Sequence, residues 1–342
     1  MKIVEDVAEL VEHRRVRGAG ATGLVPTLGA LHEGHLTLVR RAKSENARAW
    51  ASIFVNPTQF GPEEDLGRYP RDLEGDLKLI GQRGADLVFA PDARAIYPSG
   101  FGTYVDPPPV ASRLEGQFRP THFRGVTTVV LKLLNIVRPD RAYFGQKDAQ
   151  QLAVIRRMVA DLDVSVEIVG LPIVREPDGL AMSSRNVYLS PEQRKAALVL
   201  NRSLRLAGQL FGEGERGADV IRAEMQLLIL SEPLAEVDYV SVADAATLDG
   251  AAVANPIGAP LPLGNDKVSD AVPLPFVFDY PGGSTTRIFV DSNGCLLLNE
   301  TASPTVFTNS AGFMASTVHR LGPAIQDLNP AAGVSPSGGL RG

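Results

Sequence analysis

The 342-residue sequence is almost free of cysteine and contains no long apolar run. Its single cysteine, Cys295, cannot form an intrachain disulfide or supply a zinc site made of several thiolates. No segment approaches the roughly 20 consecutive apolar residues that a membrane-spanning helix needs. We therefore expect a soluble, cytoplasmic protein with no membrane partner.

An excess of positive charge is also lacking. The formal net charge is -5, and lysine and arginine are scattered along the chain, which argues against a nucleic-acid partner. The first 15 residues carry charges between apolar positions at helical spacing. They predict an amphipathic helix and not a signal peptide.

Short apolar runs alternate with amphipathic stretches between residues 22 and 172. This alternation predicts an α/β fold, a doubly wound parallel sheet of the Rossmann-like kind. Strands are predicted at 22–26, 49–55, 86–90, 141–145 and 164–170, and helices at 34–48, 71–83, 122–137 and 148–160. In such sheets ligands bind beyond the carboxyl ends of the strands, so chemistry is expected in the loops after Pro26, Val55 and Gly145.

Composition divides the chain into three predicted domains. Residues 1–172 form the Rossmann-like domain, and residues 173–250 form a smaller α+β lobe with helices at 191–211 and 217–230 and a strand at 237–242. Residues 251–342 are rich in Gly, Pro and Ser with short strand-like runs. They predict an atypical β-rich extension that is partly disordered, including its last dozen residues.

The segment PTLGALHEGH, residues 26–35, joins a predicted strand to a helix through a glycine turn. His32 and His35 stand at the helix start, where backbone N–H groups and the helix dipole attract phosphate. Imidazoles placed there can donate hydrogen bonds to a phosphoryl group in transit. A surface histidine pair or a zinc pair is the alternative interpretation.

Polar residues also follow three later elements. Asn56 and Gln59 lie in VNPTQF and suit a small polar substrate, although taken alone turn formation around Asn-Pro and Gly-Pro explains them better. Lys147 and Asp148 lie in FGQKDAQQ, where they could hold phosphate, ribose or magnesium, or simply form a solvated helix end. The MSSRN run, residues 182–186, offers hydroxyls and a guanidinium for phosphate, or a capping loop before the next helix.

These segments, in this order, resemble the pantothenate synthetase family, the pantoate–β-alanine ligases of the HIGH-type nucleotidyltransferase superfamily. RPTHFRGV and VDYVSV extend the resemblance over about residues 1–248. It implies ATP-dependent ligation of pantoate and β-alanine to pantothenate through an enzyme-bound pantoyl adenylate, with release of AMP and pyrophosphate. It also implies Mg2+ with the ATP phosphates and a homodimer.

The resemblance implies a role for each matching residue. Catalysis falls to His32, His35, Lys147 and Arg185. Pantoate binding falls to Gln59, Gln151, Asn56 and Arg119. ATP binding falls to Pro26, Thr27, Leu28, His35, Gly145, Lys147, Asp148, Val174, Met182, Ser183, Ser184 and Arg185, with Asp148 on the magnesium side.

The chain departs from the family in three places. Leu28 stands where Met is common, a substitution of similar volume. Gln146 stands where Glu is usual, which removes a charge beside Lys147. After residue 250 the closing strands of the family are not recognisable, and the segment resembles β-rich modules of secreted or surface proteins. An inactive or binding-only chain and another nucleotidyltransferase of the same fold are therefore the alternative functions.

Overall fold

The computed structural model describes residues 1–62, 64–244 and 248, together with three strands between residues 272 and 297. Contacts divide the chain into two compact units, Met1–Arg202 with Ala243–Gly250, and Ser203–Val242 with Ala251–Gly342. The predicted domain boundaries at 172 and 250 stay predictions. Cys295, the stretches 251–271 and 298–342, and the predicted disorder at the end of the chain lie outside the described residues.

The first unit is built on one parallel sheet in the order β1-β4-β3-β2-β5-β6. Its strands are β1 (Lys2–Val4), β2 (Thr22–Thr27), β3 (Arg48–Ile53), β4 (Leu87–Phe89), β5 (Arg141–Gly145) and β6 (Glu167–Leu171). The described helices are α1 (Val7–Arg15), α2 (Glu33–Glu45), α3 (Leu73–Gln82), α4 (Ala93–Ile96), α5 (Glu115–Phe118), α6 (His122–Val137), α7 (Ala149–Asp161), α8 (Pro191–Ala196), α9 (Leu198–Gly212) and α10 (Ala218–Leu230). The predicted doubly wound α/β fold is confirmed.

Helices cover both faces of the sheet because each central strand is apolar on both sides. Successive strand residues point to opposite faces, so neighbours in sequence enter different cores. Leu24 and Trp50 pack into the core that α6 and α7 share. Val25 and Ala51 pack into the core that α2 and α3 share. The sheet is thereby fixed between two helical layers, and its strand ends become rigid supports for the turns that follow them.

The predicted N-terminal helix is present but begins later than expected, and the strand predicted near residue 240 is wrong. The first residues do not begin a helix: Lys2–Val4 form β1, which pairs with β4, and α1 starts only after Asp6 caps it. Residues 237–242 are not a strand. Within the part of the chain that the structure describes, no strand pairs with them, and an unpaired strand has no ladder to satisfy its backbone groups.

The predicted helix at 191–211 is interrupted once. Ser190 caps α8 through a capping box with Gln193, as its position before Pro191 predicts. At Ala197 the backbone tightens, because Leu200 N–H bonds to the Ala197 carbonyl three residues earlier, and α9 starts as a separate helix.

The second unit contains α10 and three antiparallel strands, β7 (Val272–Tyr280), β8 (Gly283–Val290) and β9 (Leu296–Leu297). Their order is β7-β8-β9. The β-rich extension predicted after residue 250 stays a prediction. No helix among the described residues is long and apolar enough to cross a bilayer.

Candidate active site

The strand order reverses at β2, which has β3 and β4 on one side and β5 and β6 on the other. Helices that leave β2 and β5 pack on opposite faces of the sheet, so a crevice opens between the carboxyl ends of these two strands. The turn after β2 carries His32 and His35, and the turn after β5 carries Lys147. The fold therefore brings together two sequence-predicted segments that lie more than a hundred residues apart.

The turn after β2 is held in an uncommon backbone conformation. Gly29 has φ +88° and Ala30 has φ +50°, a region that a non-glycine residue adopts only when its surroundings impose it. Asp76 of α3 imposes it, since its carboxylate accepts hydrogen bonds from Ala30 N at 2.8 Å and Leu31 N at 2.7 Å. Asp76 is buried, and burial raises its pKa. Nothing in the local sequence pattern linked it to this turn.

His32 and His35 form the cap of α2. The Nδ1 atom of His32 accepts from Gly34 N at 3.1 Å, and the Nδ1 atom of His35 accepts from His32 N at 3.4 Å. Because both Nδ1 atoms accept, the proton of each neutral ring lies on Nε2. Among the described residues neither Nε2 has a hydrogen-bond partner, so two N–H donors remain for a ligand.

The electrostatics of the crevice keep both rings neutral. Burial, the adjacent His32 ring and the charge of Lys147 lower the pKa of His35 to about 3. Burial and the charge of Lys147 also lower the pKa of His32, while Asp148 acts in the opposite direction. Lys147 itself is exposed, with Nζ 3.2 Å from the Asp148 carboxylate. The crevice thus presents one solvent-exposed cation beside two neutral donors.

Asn56 and Gln59 lie in a short 3₁₀ turn, Pro57–Gln59, directly after β3. Asn56 is completely buried, and its Nδ2 atom donates to Gln59 Oε1 at 3.1 Å. Through this bond Asn56 supports the side chain of Gln59.

Arg119 and His122 hold the same turn from the other side. Both bond to the Gln59 carbonyl oxygen, from Arg119 Nη2 at 3.3 Å and from His122 Nδ1 at 2.9 Å. Two nitrogens of Arg119 also pair with the Glu64 carboxylate, and a third pairs with Glu115. The predicted pocket-edge arginine is therefore engaged inside the protein. His122 was missed, although its place at the start of α6 could have drawn attention to it.

The MSSRN run lies over the turn after β2. Ser184 donates to the Ala30 carbonyl at 2.8 Å, and Ser183 caps the following 3₁₀ turn. Arg185 does not extend freely: its guanidinium bonds to both oxygens of Asp65 at 2.8 and 2.9 Å and lies over the Tyr69 ring at 5.2 Å. Asp65 and Tyr69 are partners that the sequence pattern did not identify.

The remaining predicted residues border these turns. Val174 lies beside the start of α2, and Met182 N donates to its carbonyl at 3.0 Å. Gln151 is half-buried in the first turn of α7. Pro26 and Thr27 end β2, Leu28 follows them, and Gly145 ends β5. Among the described residues, no group of three or more His, Cys, Asp or Glu side chains forms a metal site.

Comparison with protein families gives two matches. A family described as pantoate-beta-alanine ligase matches residues 2–261. A second family, described as NIDO related, matches residues 239–338 and therefore overlaps the end of the first.

Curated relatives match the same region. The pantothenate synthetase of Roseiflexus sp. (strain RS-1) is 62% identical over 246 residues, which cover 71% of this chain and 87% of that protein. The pantothenate synthetase of Chloroflexus aggregans is 55% identical over 264 residues, which cover 77% of this chain and 94% of that protein.

Solved structures agree with the observed fold. Pantothenate synthetase from Thermus thermophilus superposes with a TM-score of 0.70 at 49% identity, over 73% of this chain and 90% of that one. A pantoate-beta-alanine ligase from Francisella tularensis, solved with beta-gamma ATP and beta-alanine, gives a TM-score of 0.59 at 35% identity, over 67% of this chain and 86% of that one.

Proposed function

Because the chain belongs to the pantoate–β-alanine ligase family, we propose that the crevice between β2 and β5 binds ATP and forms pantoyl adenylate there. The enzyme joins pantoate to β-alanine with cleavage of ATP to AMP and pyrophosphate. One observation carries the site assignment. Among the described residues, the Nε2–H donors of His32 and His35 have no partner, and both rings lie within electrostatic reach of Lys147.

ATP binds across the ends of the two strands in this proposal. The ATP-contacting set is Pro26, Thr27, Leu28, His35, Gly145, Lys147, Asp148, Val174, Met182, Ser183, Ser184 and Arg185. Its support is that most of these residues lie on the turns after β2 and β5 or on the MSSRN run packed over them. Arg185 contributes to the phosphates by exchanging part of its pairing with Asp65, because a guanidinium has further N–H donors to offer.

In the first step, a carboxylate oxygen of pantoate attacks the α-phosphorus of ATP. The bond between that phosphorus and the bridging oxygen breaks, and pyrophosphate leaves with the electron pair. His32 and His35 donate from Nε2 to phosphate oxygens, and Lys147 offsets the growing negative charge. Neutral donors suit this role, since their hydrogen bonds do not require a proton to be lost or regained.

Gln59 and Gln151 bind pantoate in this proposal. Gln59 is held through its carbonyl oxygen by Arg119 and His122 and through its side chain by Asn56. Asn56 and Arg119 therefore act on pantoate through Gln59 and not by direct contact.

In the second step, the free amine of β-alanine attacks the acyl carbon of pantoyl adenylate. An amide bond forms, the acyl–phosphate bond breaks, AMP leaves with the electron pair, and the nitrogen gives up one proton. The Ser184 contact with Ala30 and the Arg185 contact with Asp65 keep the MSSRN run over the crevice, which shields the adenylate from water.

Magnesium belongs to the proposal as the counter-ion of the ATP phosphates. Mg2+ is commonly bound by one or two carboxylates together with substrate phosphates. The exposed carboxylate of Asp148 beside Lys147 fits such a donor set and is the group that we assign to it. When bound, the ion would neutralise phosphate charge.

We further propose that the enzyme works in the cytoplasm as a homodimer. The dependence on ATP supports the compartment, and the family resemblance supports the dimer. Light scattering coupled to size exclusion measures the second directly: a mass near 73 kDa is expected from a chain of 36.5 kDa, and a mass of a single chain would contradict it.

The assignment is tested by pyrophosphate release from purified protein. Release should require pantoate, ATP and Mg2+ together, and His35→Ala or Lys147→Ala should lower the adenylation rate by about 10²–10³-fold, as loss of a transition-state donor does. Lys43→Ala removes a lysine that pairs with Asp86 away from the crevice and should leave the rate unchanged. Equal losses in all three variants, or turnover without pantoate, would contradict the assignment.

A further inference from the structure

The carboxamide of Asn56 has only one possible orientation. Its Oδ1 atom faces the backbone N–H of Thr58 at 3.4 Å, a group that can only donate. Its Nδ2 atom faces the carbonyl oxygen of Gly125 at 3.2 Å, a group that can only accept. Exchanging oxygen and nitrogen would place two donors together and two acceptors together. The chemistry of these neighbours therefore settles the assignment.

A fixed Asn56 fixes Gln59 in turn. Asn56 Nδ2 can only donate, so the atom of Gln59 that meets it at 3.1 Å must be the acceptor Oε1. The NH2 group of Gln59 then points away from Asn56. No described residue accepts a hydrogen bond from Gln59 Nε2, which leaves two N–H donors for a ligand.

Tyr97 holds the Oδ1 atom of Asn56. It directly follows α4, and its hydroxyl donates to Asn56 Oδ1 at 2.7 Å. Thr58 Oγ1 reaches the same Oδ1 atom at 3.0 Å and the Tyr97 hydroxyl at 3.2 Å. The Tyr97 ring is itself held edge-on against Phe101, with ring centroids 5.0 Å apart. Tyr97 has no place in the reaction described above.

We propose that Tyr97 is a positioning residue for pantoate: acting through Asn56, its hydroxyl holds the Gln59 carboxamide with the NH2 group facing the substrate. The arrangement selects a substrate whose groups accept hydrogen bonds at that point, as the hydroxyl and carboxylate oxygens of a hydroxy acid do. This inference rests on the proposed function, because it assigns Gln59 to pantoate. It adds Tyr97, which lies about forty positions from Gln59 in the sequence and contributes by orienting the Gln59 carboxamide.

The primary test replaces the hydroxyl alone. Tyr97→Phe should raise the KM for pantoate about three- to tenfold, the range expected when one hydrogen bond is lost. The KM for ATP should stay unchanged, because the network does not reach the turns after β2 and β5. Tyr143→Phe is the matched control, since its buried ring also loses a hydroxyl bonded to an asparagine and a neighbouring group, here Asn46 and Glu45.

A double-mutant cycle separates positioning from general loosening of the fold. If Tyr97 acts through Gln59, Tyr97→Phe should change the pantoate KM less than twofold in a Gln59→Ala background, because interacting residues give non-additive effects. Thr58→Val removes the second hydroxyl of the same network and should shift the pantoate KM in the same direction. If Tyr97→Phe lowers the melting temperature strongly, Thr58→Val replaces it in the test.

Three results would overturn the inference: fully additive effects in the cycle, equal rises in the KM for pantoate and ATP, or the same change in Tyr143→Phe. An active wild-type enzyme with any of these results refutes only the role of Tyr97. A wild-type enzyme that releases no pyrophosphate with pantoate refutes the proposed function, and the role of Tyr97 with it.

Discussion

His32 and His35 use their ring nitrogens in the same way. In each ring Nδ1 accepts a hydrogen bond at the start of α2, and Nε2 carries the proton that a ligand can accept. Their Nδ1 atoms cap α2, so protonation of either ring would remove an acceptor from the cap and add a charge beside Lys147. Helix capping and the choice of tautomer are therefore one property of this turn. A neutral donor pair is its chemical result.

The lowered pKa of His35 predicts an acid-sensitive fold. The unfolded chain takes up a proton near the ordinary histidine pKa of 6.5, whereas folded His35 does so only near about 3. Between these values the unfolded state binds more protons, so the free energy of unfolding falls as pH falls from 6.5 towards 3. His35→Gln, which keeps an acceptor for His32 N–H, should lose less of its melting temperature than wild type between pH 7 and pH 4.5.

Melting followed by circular dichroism across that pH range measures the difference. His13→Gln, which removes an imidazole beside Trp50 and not at this turn, is the control for the substitution itself. Parallel curves for wild type and His35→Gln would show that the ring titrates near its ordinary value.

The sequence pattern identified site residues that lie in a recognisable strand–turn–helix segment. It missed those whose contacts are with residues far away in the sequence. His32, His35 and Lys147 were predicted because each lies where a strand is followed by the start of a helix. Asp76 and Asp65 were not, since each acts on a turn or side chain 45 to 120 positions away. Such pairings are determined by the sheet order, which no local pattern contains.

At the scale of elements, α6 lies so close to the Pro57–Gln59 turn at Gly125 that no side chain fits between them. A Cβ on Gly125 would lie 2.6 Å from Gln59 N and closer still to the Thr58 carbonyl oxygen. Backbone atoms cannot move aside as the end of a flexible side chain can. The glycine therefore sets the distance between helix and turn, and with it the place of Gln59.

Gly125→Ala should destabilise the fold by about 1–3 kcal/mol, the cost typical of overpacking. It should also raise the KM for pantoate, because the turn that carries Gln59 must shift. Denaturant unfolding and pantoate titration measure the two effects. Gly208→Ala in α9 is the control: no described atom lies within 4 Å of its Cβ position, so a gain of about 0.5–1 kcal/mol is expected from helix propensity. Identical stabilities for the two variants would contradict the close approach.

Strand prediction succeeded for β2 to β6, including the edge strand β6, and failed for β1 and for VDYVSV. β2, β3 and β5 are apolar on both faces, and this produced clear runs in the sequence. β1 is three residues long and lies at the sheet edge, so its pattern merged with that of the helix after it. VDYVSV has strand composition but no partner strand among the described residues.

At the scale of the whole molecule, the proposed machinery lies entirely in the first unit. The ligase family matches residues 2–261, and the NIDO-related match begins at 239. We predict that a chain ending at residue 250 retains pyrophosphate release within about threefold of the full chain, because every residue proposed above to bind ATP or pantoate lies before residue 203. Side-by-side assays of the two purified chains measure this. A loss comparable to that of Lys147→Ala would show that the tail is part of the enzyme.

β2 and β5 lie side by side although 113 residues, from 28 to 140, are made between them. During synthesis, the nascent chain presents both imidazoles early, while the neighbouring edge of β2 stays bare. The lysine that faces them is polymerised only at position 147, and β5 must leave the ribosome before it can dock. A nascent chain that ends before β5 therefore lacks Lys147, and the proposed phosphate site cannot be complete in it.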